Sequence, residues 1–508
     1  MVAKVTSGAL FGVSGITIEV EVDMAGGMPA FDIVGLPDSA VKESRERVRT
    51  AIRNIGVLVP PRRVTVNLAP ADIRKEGPAY DLPIALGILA CLGIIPATAL
   101  RNVFVTGELS LDGEIRPIQG VLPMVYSAAN AGFSACIVPH QNAEEASLVQ
   151  GIKIIAPQSL KELIDHFKDG MLPLYRRDEV IRAQSADENI LDFADVKGQE
   201  SVKRALTISA AGGHNILLIG PPGSGKTMMA RRLSGILADL TFEESIDVTK
   251  IYSVAGMIPD KGALVRTRPF RAPHHTISYS ALVGGGRIPK PGEVSLAHHG
   301  VLFLDELPEF NRNVLEALRQ PIEDRIVTIS RANAAITYPC SFMLVASMNP
   351  CPCGFFGDGD RCKCSEREVN RYLDKISGPL LDRIDMHVEA ARVNYKDFEG
   401  STRSKSSQEI REEVKQAQQF QAKRYENEGI SLNAELHGGS IDKYCKLDGD
   451  SRALVKRVYD VMGLSARGYH KILKLARTIA DLDGARDIAA AHISEAIQYR
   501  ALDRKYWS

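Results

Sequence analysis

Two patterns of apolar positions alternate along the first 168 residues. Short runs rich in β-branched residues predict strands at residues 17–22, 63–68, 103–106 and 135–138. Longer stretches with helical spacing lie between these runs, at residues 39–55, 81–93 and 121–131. The alternation predicts a mixed α/β domain over residues 1–168.

The pattern changes twice more along the chain. Residues 169–192 become densely charged, which predicts a linker or a connecting helix, and a second α/β pattern follows over residues 193–395. Residues 396–508 have helical spacing throughout, with Ser406 and Glu409 at the spacing of a helix-capping box. A chain of 508 residues exceeds what one hydrophobic core supports, which agrees with several domains.

Residues 82–100 contain no charged side chain and are long enough to be tested as a membrane span. Gly87, Gly93 and Pro96 interrupt the stretch, so a buried helix that ends near Gly93 is the better interpretation. No signal peptide is evident, and we expect a cytoplasmic protein without a membrane segment. Lys+Arg and Asp+Glu both total 62, so a nucleic-acid site would have to be a local patch.

A glycine-rich loop follows the apolar run at residues 216–219 and precedes helical sequence. Strand, glycine loop and helix in this order are the context of a phosphate-binding P-loop, because loop N–H groups and the helix N-terminus attract phosphate oxygens. Lys226 is predicted to neutralise the β- and γ-phosphates of ATP, and the Thr227 hydroxyl to bind Mg²⁺. The predicted nucleotide-binding residues are Gly220, Pro221, Pro222, Gly223, Ser224, Gly225, Lys226 and Thr227.

A second apolar strand, at residues 301–304, ends in Asp305 and Glu306. Downstream of a P-loop, these carboxylates are predicted to bind Mg²⁺ through Asp305 and to activate the attacking water through Glu306. A third apolar strand leads to Asn349, whose amide is predicted to position the water and to sense the γ-phosphate.

Four cysteines lie within 14 residues, at Cys351, Cys353, Cys362 and Cys364. Four thiolates in one glycine-containing loop suit a structural Zn²⁺ site, which is our prediction. Redox-active thiols or two strained disulfides are the alternatives. The adjacent pairs His274-His275 and His298-His299 are left without an assigned role, since neighbouring histidines rarely share one metal ion.

The segment between the P-loop and the acidic strand is locally basic. Residues 251–290 contain the single acid Asp260 and six basic residues, Lys261, Arg266, Arg268, Arg271, Arg287 and Lys290. Gly284, Gly285 and Gly286 lie near its end, so a mobile loop that grips DNA phosphates is predicted. A second candidate is the alternating strand pair at residues 325–337, with Arg331 near its turn. A merely solvated basic face is the alternative.

The order of these motifs resembles the AAA+ ATPases, and within them the magnesium-chelatase/MCM-like branch. The resemblance implies that Asn349 is sensor 1, that Arg383 in the segment 380–385 is an arginine finger given to a neighbouring subunit, and that Arg467 is the sensor-2 arginine of a helical lid. It also implies an insertion in helix 2 and an adenine-side contact at Gly198-Gln199. Arg477 competes with Arg467 for the lid role, and an ordinary surface salt bridge is the alternative for each arginine.

Residues 75–81 and 106–120 resemble the proteolytic domain of Lon proteases. Ala79 stands at the position of the family's nucleophilic serine and Leu122 at that of its lysine base, so the resemblance implies a retained fold without peptidase activity. Without peptidase activity, such a domain would serve as a scaffold or as a layer that helps to form a ring.

Taken over its whole length, the chain resembles the bacterial ComM/YifB family. The resemblance implies a homohexameric ATPase that uses ATP and Mg²⁺, binds single-stranded and branched DNA, and drives branch migration in homologous recombination or natural transformation. A metal-chelatase motor subunit that remodels a partner enzyme is the alternative. An ATP-dependent protease is disfavoured by Ala79 and Leu122.

Overall fold

The computed structural model describes residues 2–169, 174–176, 191–258, 264–286, 289–331, 334–357, 361–392, 404–502 and 506–507. Most of the predicted linker 169–192, together with Asp260, Lys261 and Arg287, lies outside the described residues. The chain divides into two compact units. One comprises residues 1–181 and 242–265, and the other comprises residues 182–241 and 266–508.

The first unit is built on a seven-stranded sheet with the order β3-β4-β2-β1-β5-β8-β9. Its strands are β1 (Val2–Phe11), β2 (Ser14–Ala25), β3 (Ala30–Val34), β4 (Arg63–Ala69), β5 (Val103–Val105), β8 (Ala135–Ile137) and β9 (Lys153–Ile155), while β6 (Glu108–Leu109) and β7 (Ile115–Arg116) form a separate pair. β1 pairs antiparallel with β2, and β2 with β4, whereas the other neighbours are parallel. Every second side chain of β2 from Ile18 to Met24 is buried, because one face of the sheet meets the core.

Three helices lie where helical periodicity predicts them, at Ser39–Asn54, Asp81–Cys91 and Val121–Asn130. Two further helices, Ala143–Ala146 and Leu160–Asp169, were not predicted. Asp38 begins the helix Ser39–Asn54, since its carboxylate accepts the N–H of Val41 at 2.8 Å. The predicted buried helix is confirmed, because Asp81–Cys91 is buried from Asp81 to Ala90. Among the described residues, no helix is long and apolar enough to cross a membrane.

A helix from the middle of the chain, Phe242–Ala255, belongs to the first unit. Ser253 donates a hydrogen bond to the Glu145 carboxylate, and the Lys250 ammonium lies 3.8 Å from the centre of the Tyr126 ring. Ile246 joins the apolar cluster that contains Leu122. The sequence pattern did not indicate that this helix belongs to the first unit. Residues 251–265 are therefore in a different unit from the rest of the basic segment.

The second unit contains a five-stranded parallel sheet with the order β11-β14-β17-β10-β18. Its strands are β10 (Ile216–Ile219), β11 (Phe270–Arg271), β14 (Val301–Leu304), β17 (Met343–Met348) and β18 (Met386–Glu389). The helices around it are Glu200–Gly212, Lys226–Ile236, Tyr279–Val283, Glu293–Leu296, Arg312–Ala317, Arg319–Asp324, Glu366–Leu373 and Gly378–Leu381. Because β14, β17 and β10 are parallel neighbours, the residues after each of them meet at one edge of the sheet.

Two hairpins extend this unit. β12 (Gly284–Gly285) and β13 (Lys290–Pro291) lie between the helices Tyr279–Val283 and Glu293–Leu296, where an insertion in a helix is expected. β15 (Ile326–Arg331) pairs antiparallel with β16 (Ala334–Pro339), at the predicted strand pair.

The C-terminal region is helical, as its periodicity predicts. Its helices are Ser407–Arg424, Gly439–Tyr444, Gly449–Met462, Ala466–Leu482 and Ala490–Gln498. The capping box is confirmed, since the Ser406 hydroxyl accepts the Glu409 N–H and the Glu409 side chain accepts the Ser406 N–H. The α/β fold with a helical C-terminal region is therefore confirmed.

Candidate functional site

The glycine loop connects the buried central strand β10 to the helix Lys226–Ile236. Gly223 and Gly225 have φ angles of +76° and +85°, which side chains rarely allow. A Cβ on Gly220 would lie 2.3 Å from the carbonyl oxygen of Ala390. Backbone geometry and close packing therefore require glycine in this loop, and the loop ends at a helix N-terminus, where anions are favoured.

Asp305 lies beside Thr227 at the end of β14. The Thr227 hydroxyl donates to Oδ2 of Asp305 at 2.6 Å, and the Ser347 hydroxyl donates to its Oδ1. The N–H of Glu306 also donates to Oδ1, at 3.1 Å. Hydroxyl and carboxylate oxygens are the ligands that Mg²⁺ prefers, so these side chains fit the predicted Mg²⁺ site.

Lys226 points back across the glycine loop. Its Nζ donates to the carbonyl oxygens of Gly220 at 2.8 Å and Pro221 at 3.0 Å, and to Oδ1 of Asn349 at 3.2 Å. Burial lowers the pKa of Lys226, while the charges of Asp305 and Glu306 act in the opposite direction. The structure thus brings the predicted phosphate-binding lysine and the predicted sensor Asn349 into contact.

These residues surround a cavity of about 410 Å³. Its lining consists of Pro222, Gly223, Gly225, Lys226, Thr227, Met228, Asp305, Glu306, Ser347, Met348 and Asn349. Ser347 was not predicted from the sequence, although a hydroxyl within the buried strand Met343–Met348 was a usable signal. Gln199 also reaches this region, since its Nε2 donates to the Ser224 carbonyl at 3.2 Å.

Glu306 faces the cavity from a strained turn, with a φ angle of +54°. Its side chain is 57% exposed, and its Oε2 lies 3.6 Å from Nδ1 of His275. His298 is different, because burial lowers its pKa to about 3 and its Nδ1 accepts the Ser341 N–H at 2.9 Å. The two histidine pairs therefore have separate environments, and His298 has a packing role.

Arg383 and Arg467 lie together, although neither lines the phosphate cavity. Nη2 of each donates to the carboxylate of Glu323. Arg477 is instead buried, and its Nη2 donates to Asp481 at 3.0 Å and to the Ala485 carbonyl at 2.7 Å. These internal contacts give Arg477 a structural role, so Arg467 is the better candidate for contact with nucleotide.

The four cysteines of the loop converge. Their sulfur atoms all lie within 4.8 Å of one another, and all four are free thiols. The distances from Cys351 to Cys353 and Cys362 are 3.3 and 3.9 Å, and Cys353 and Cys362 are 3.7 Å apart. A tetrahedral ZnS₄ site with bonds of about 2.3 Å has sulfur atoms about 3.8 Å apart, so the loop fits Zn²⁺.

This cysteine loop lies directly against the P-loop. Gly354 has a φ angle of +86°, and a Cβ at this position would lie 2.4 Å from Cδ of Pro222. The spacing of the cysteines gave no indication of this contact. Order in the cysteine loop is therefore expected to support the shape of the nucleotide loop.

We predict about one Zn²⁺ per chain in protein purified without added metal. Cys362→Ser should lose this metal and weaken ATP binding, because the loop that packs on Pro222 loses its cross-link. Metal analysis and ATP titration measure both effects, and Cys445→Ser, a buried cysteine outside the loop, is the control. Metal-free wild-type protein whose four loop thiols react rapidly would contradict the prediction.

The basic segment supplies fewer exposed cations than its composition suggests. Nε and Nη1 of Arg268 donate to the carbonyl oxygens of Ala238 and His299, each at 2.7 Å. Arg271 forms two hydrogen bonds with Glu293, at 2.6 and 2.7 Å. We therefore remove Arg268 and Arg271 from the residues expected to grip DNA, because their guanidinium groups stabilise the unit itself.

The two predicted DNA-contacting hairpins pack against each other. The Tyr338 hydroxyl on β16 donates to the Pro289 carbonyl at 2.7 Å. A Cβ on Gly284 of β12 would lie 2.7 Å from Cδ1 of Ile329 on β15. Two segments that are separate in sequence thus contact each other, and we call their described residues the paired hairpins (residues 284–286 and 289–291, with 326–331 and 334–339).

Three family models match consecutive parts of the chain. "Magnesium chelatase, subunit ChlI" matches residues 192–398, "Subunit ChlI of Mg-chelatase" matches residues 20–142, and "Magnesium chelatase, subunit ChlI C-terminal" matches residues 404–500. The competence protein ComM of Haemophilus influenzae is 43% identical over 99% of this chain and 98% of its own length. The protein YifB of Salmonella typhimurium is 42% identical over 99% of this chain and 97% of its own. The chain belongs to the ComM/YifB family.

The chain is also similar to a Lon protease. Lon protease 2 of Bacillus subtilis is 31% identical over 166 residues, which cover 30% of this chain and 29% of that protein. In the structure Leu122 is fully buried, and its N–H donates to Glu145 at 2.9 Å. Neither Leu122 nor Ala79 carries a nucleophile or a base, so these two positions offer no catalytic group for peptide cleavage.

Proposed function

We propose that this protein is an ATP-hydrolysing homohexamer that binds single-stranded and branched DNA and moves along it to drive branch migration. The observation that carries the DNA part is the contact between the paired hairpins, an element of the ATPase unit that contains the exposed Lys290. In the sequence, Arg287 precedes Lys290 by three residues and Arg331 belongs to the second predicted strand pair. The name of the relative ComM supports a role in natural transformation or homologous recombination.

ATP hydrolysis is assigned to the phosphate cavity. Lys226 would bind the β- and γ-phosphates, and Thr227 and Asp305 would hold Mg²⁺, which neutralises phosphate charge when bound. Glu306 would orient the attacking water and accept its proton, because its carboxylate lines the cavity and remains half exposed. Asn349 contacts Lys226 and would position the same water.

The position of Arg383 supports a ring. Arg383 is not among the residues that line the phosphate cavity of its own chain. An arginine that stabilises the transition state must touch the γ-phosphate, so Arg383 would act on the nucleotide of a neighbouring subunit. A closed ring of identical subunits satisfies this requirement at every site.

DNA contact is expected to be electrostatic. We predict that replacing Arg287, Lys290 and Arg331 together by Ala weakens binding of single-stranded DNA and abolishes its stimulation of the ATPase. Each lost phosphate contact should reduce the slope of log affinity against log salt by about 0.7. Basal hydrolysis should persist, because the groups assigned to phosphate binding and water activation are other residues, Lys226, Thr227, Asp305 and Glu306.

The matched control replaces Lys153, Lys161 and Lys168 by Ala, which removes the same charge from exposed positions of the first unit. Displacement of a labelled strand from forked and three-stranded substrates with ATP tests movement directly. The chelatase alternative predicts no stimulation by DNA, no salt-dependent binding, and activity only beside a partner enzyme. A wild-type ring that hydrolyses ATP but moves no strand on these substrates would refute the motor proposal.

A further inference from the structure

We propose that Glu323 is a positioning residue that holds Arg383 and Arg467 together as one anion-binding pair. The inference rests on the nucleotide-directed roles proposed for these two arginines. Oε2 of Glu323 accepts from Nη2 of Arg383, and Oε1 accepts from Nη2 of Arg467 at 3.0 Å. Each carboxylate oxygen takes one arginine, so two guanidinium groups converge on a single anion.

The three residues come from distant parts of the second unit. Glu323 lies in the helix Arg319–Asp324, 60 residues before Arg383 and 144 before Arg467. Arg383 follows the helix Gly378–Leu381, and its Nη1 donates to the Pro379 carbonyl at 2.7 Å. Arg467 lies in the first turn of the helix Ala466–Leu482.

A second set of contacts fastens the helix of Arg467 to the segment of Arg383. Nζ of Lys471 donates to the carbonyl oxygens of Asp382 and Ile384, the latter at 2.8 Å. Lys471 lies one turn after Arg467, and its acceptors flank Arg383 in sequence. Arg500 also donates to the Ile384 carbonyl, at 2.8 Å. These contacts bring the two arginines near each other, and Glu323 is the side chain that joins their guanidinium groups.

The positive charges of Arg383 and Arg467 explain why an acidic side chain is needed between them. Two guanidinium groups that converge repel each other, and long arginine side chains lose rotamer freedom when they are held. The Glu323 carboxylate offsets the repulsion and selects the converging rotamers. Arg467 and Glu323 are 58% and 46% exposed, so this pair contributes little to stability. The Arg383 side chain is only 12% exposed, so the test of Glu323 must measure stability beside catalysis.

A phosphate can replace the Glu323 carboxylate as the anion that the two arginines bind. A γ-phosphate offers more oxygens and more charge than a carboxylate, and Arg383 and Arg467 bind either by the same hydrogen bonds. Nε of Arg383 has no acceptor among the described residues, so the contact with Glu323 leaves part of its donor capacity unused. Because Glu323 holds Arg467 beside Arg383, Arg467 would bind the same phosphate of the neighbouring subunit as Arg383, and Glu323 would release both arginines to it.

The test compares Glu323→Gln with Glu428→Gln, which removes a carboxylate from another exposed ion pair of the same unit. Hydrolysis of ATP is measured without DNA, in the wild-type background and in the double variant Arg383→Ala/Arg467→Ala at high enzyme concentration. We expect Glu323→Gln to lower kcat about tenfold in the wild-type background, with KM for ATP within about twofold. In the double variant the same change should alter the rate less than about twofold, because no arginine remains to be positioned.

Unchanged kcat in Glu323→Gln, or an equal loss in both backgrounds, would overturn the proposal. A matching loss in Glu428→Gln, or a lowered melting temperature that accounts for the rate, would also overturn it. Full hydrolysis by Arg383→Ala would reject the arginine assignment on which the proposal rests. None of these measurements uses DNA. Failure of the wild-type protein to move strands would therefore be a separate result, which concerns only the proposed movement along DNA.

Discussion

Glu306→Gln should bind ATP normally and hydrolyse it about 10²–10⁴ times more slowly than the wild-type protein. Gln keeps the size of the side chain but cannot accept a proton from water, and general-base catalysis is worth a factor of this order. Binding should persist because Lys226, Thr227 and Asp305 are unaltered. Turnover assays and equilibrium titration with labelled ATP measure the two effects separately.

Lys226→Ala should instead lose nucleotide binding. The ammonium is buried at the cavity, within hydrogen-bonding distance of the glycine-loop carbonyls, and among the described residues that line this cavity it is the one cation. The matched control for the other variant, Glu306→Gln, is Glu309→Gln. Glu309 is an exposed glutamate that follows the same strand and pairs with Lys375 outside the phosphate cavity. Near-normal turnover by Glu306→Gln would require another residue as the general base.

Arg383→Ala should bind ATP but lose at least about a hundredfold in hydrolysis, because arginine fingers contribute 10³–10⁵-fold in related chemistry. Mixed with an excess of inactive Lys226→Ala protein, it should recover part of the activity. In mixed rings an intact phosphate site of one subunit then meets an intact arginine of its neighbour. Each subunit supplies the group that the other lacks.

The control for this experiment is Arg319→Ala, which removes an arginine from an exposed pair with Glu316. It should hydrolyse ATP at nearly the wild-type rate and should need no rescue. Mixtures of Arg383→Ala and Lys226→Ala that co-assemble without any recovery would show that Arg383 acts within its own chain. In that case the argument for a ring would also lose its basis.

Motifs that are contiguous in the chain were predicted well. The helix Asp81–Cys91, the strands β10 and β14, and the capping box at Ser406 appear where local pattern predicts them, because periodicity and capping depend on near neighbours. The resemblance to the ComM/YifB family was likewise confirmed by the full-length relatives.

Contacts between distant residues were not predicted. The basic segment looked continuous, yet Phe242–Ala255 packs in the first unit, and Arg268 and Arg271 are held by partners in the second. The contact of Gly354 with Pro222 and the convergence on Glu323 left no trace in spacing or composition. Composition counts charges, but it does not show which of them already have partners.

The sequence by itself determined which chemistry the chain carries: a phosphate-binding loop, two carboxylates after a buried strand, four clustered thiols and a Lon-like unit without catalytic side chains at Ala79 and Leu122. Each of these is a property of residue type at short spacing. Only the tertiary structure decided which groups are in contact: Ser347 with Asp305, the cysteine loop with the P-loop, the paired hairpins with each other, and both arginines with Glu323. The physical reason is that these contacts arise from the packing of elements separated by tens to hundreds of residues, and hydrogen bonds and charges act across the folded surface regardless of distance along the chain.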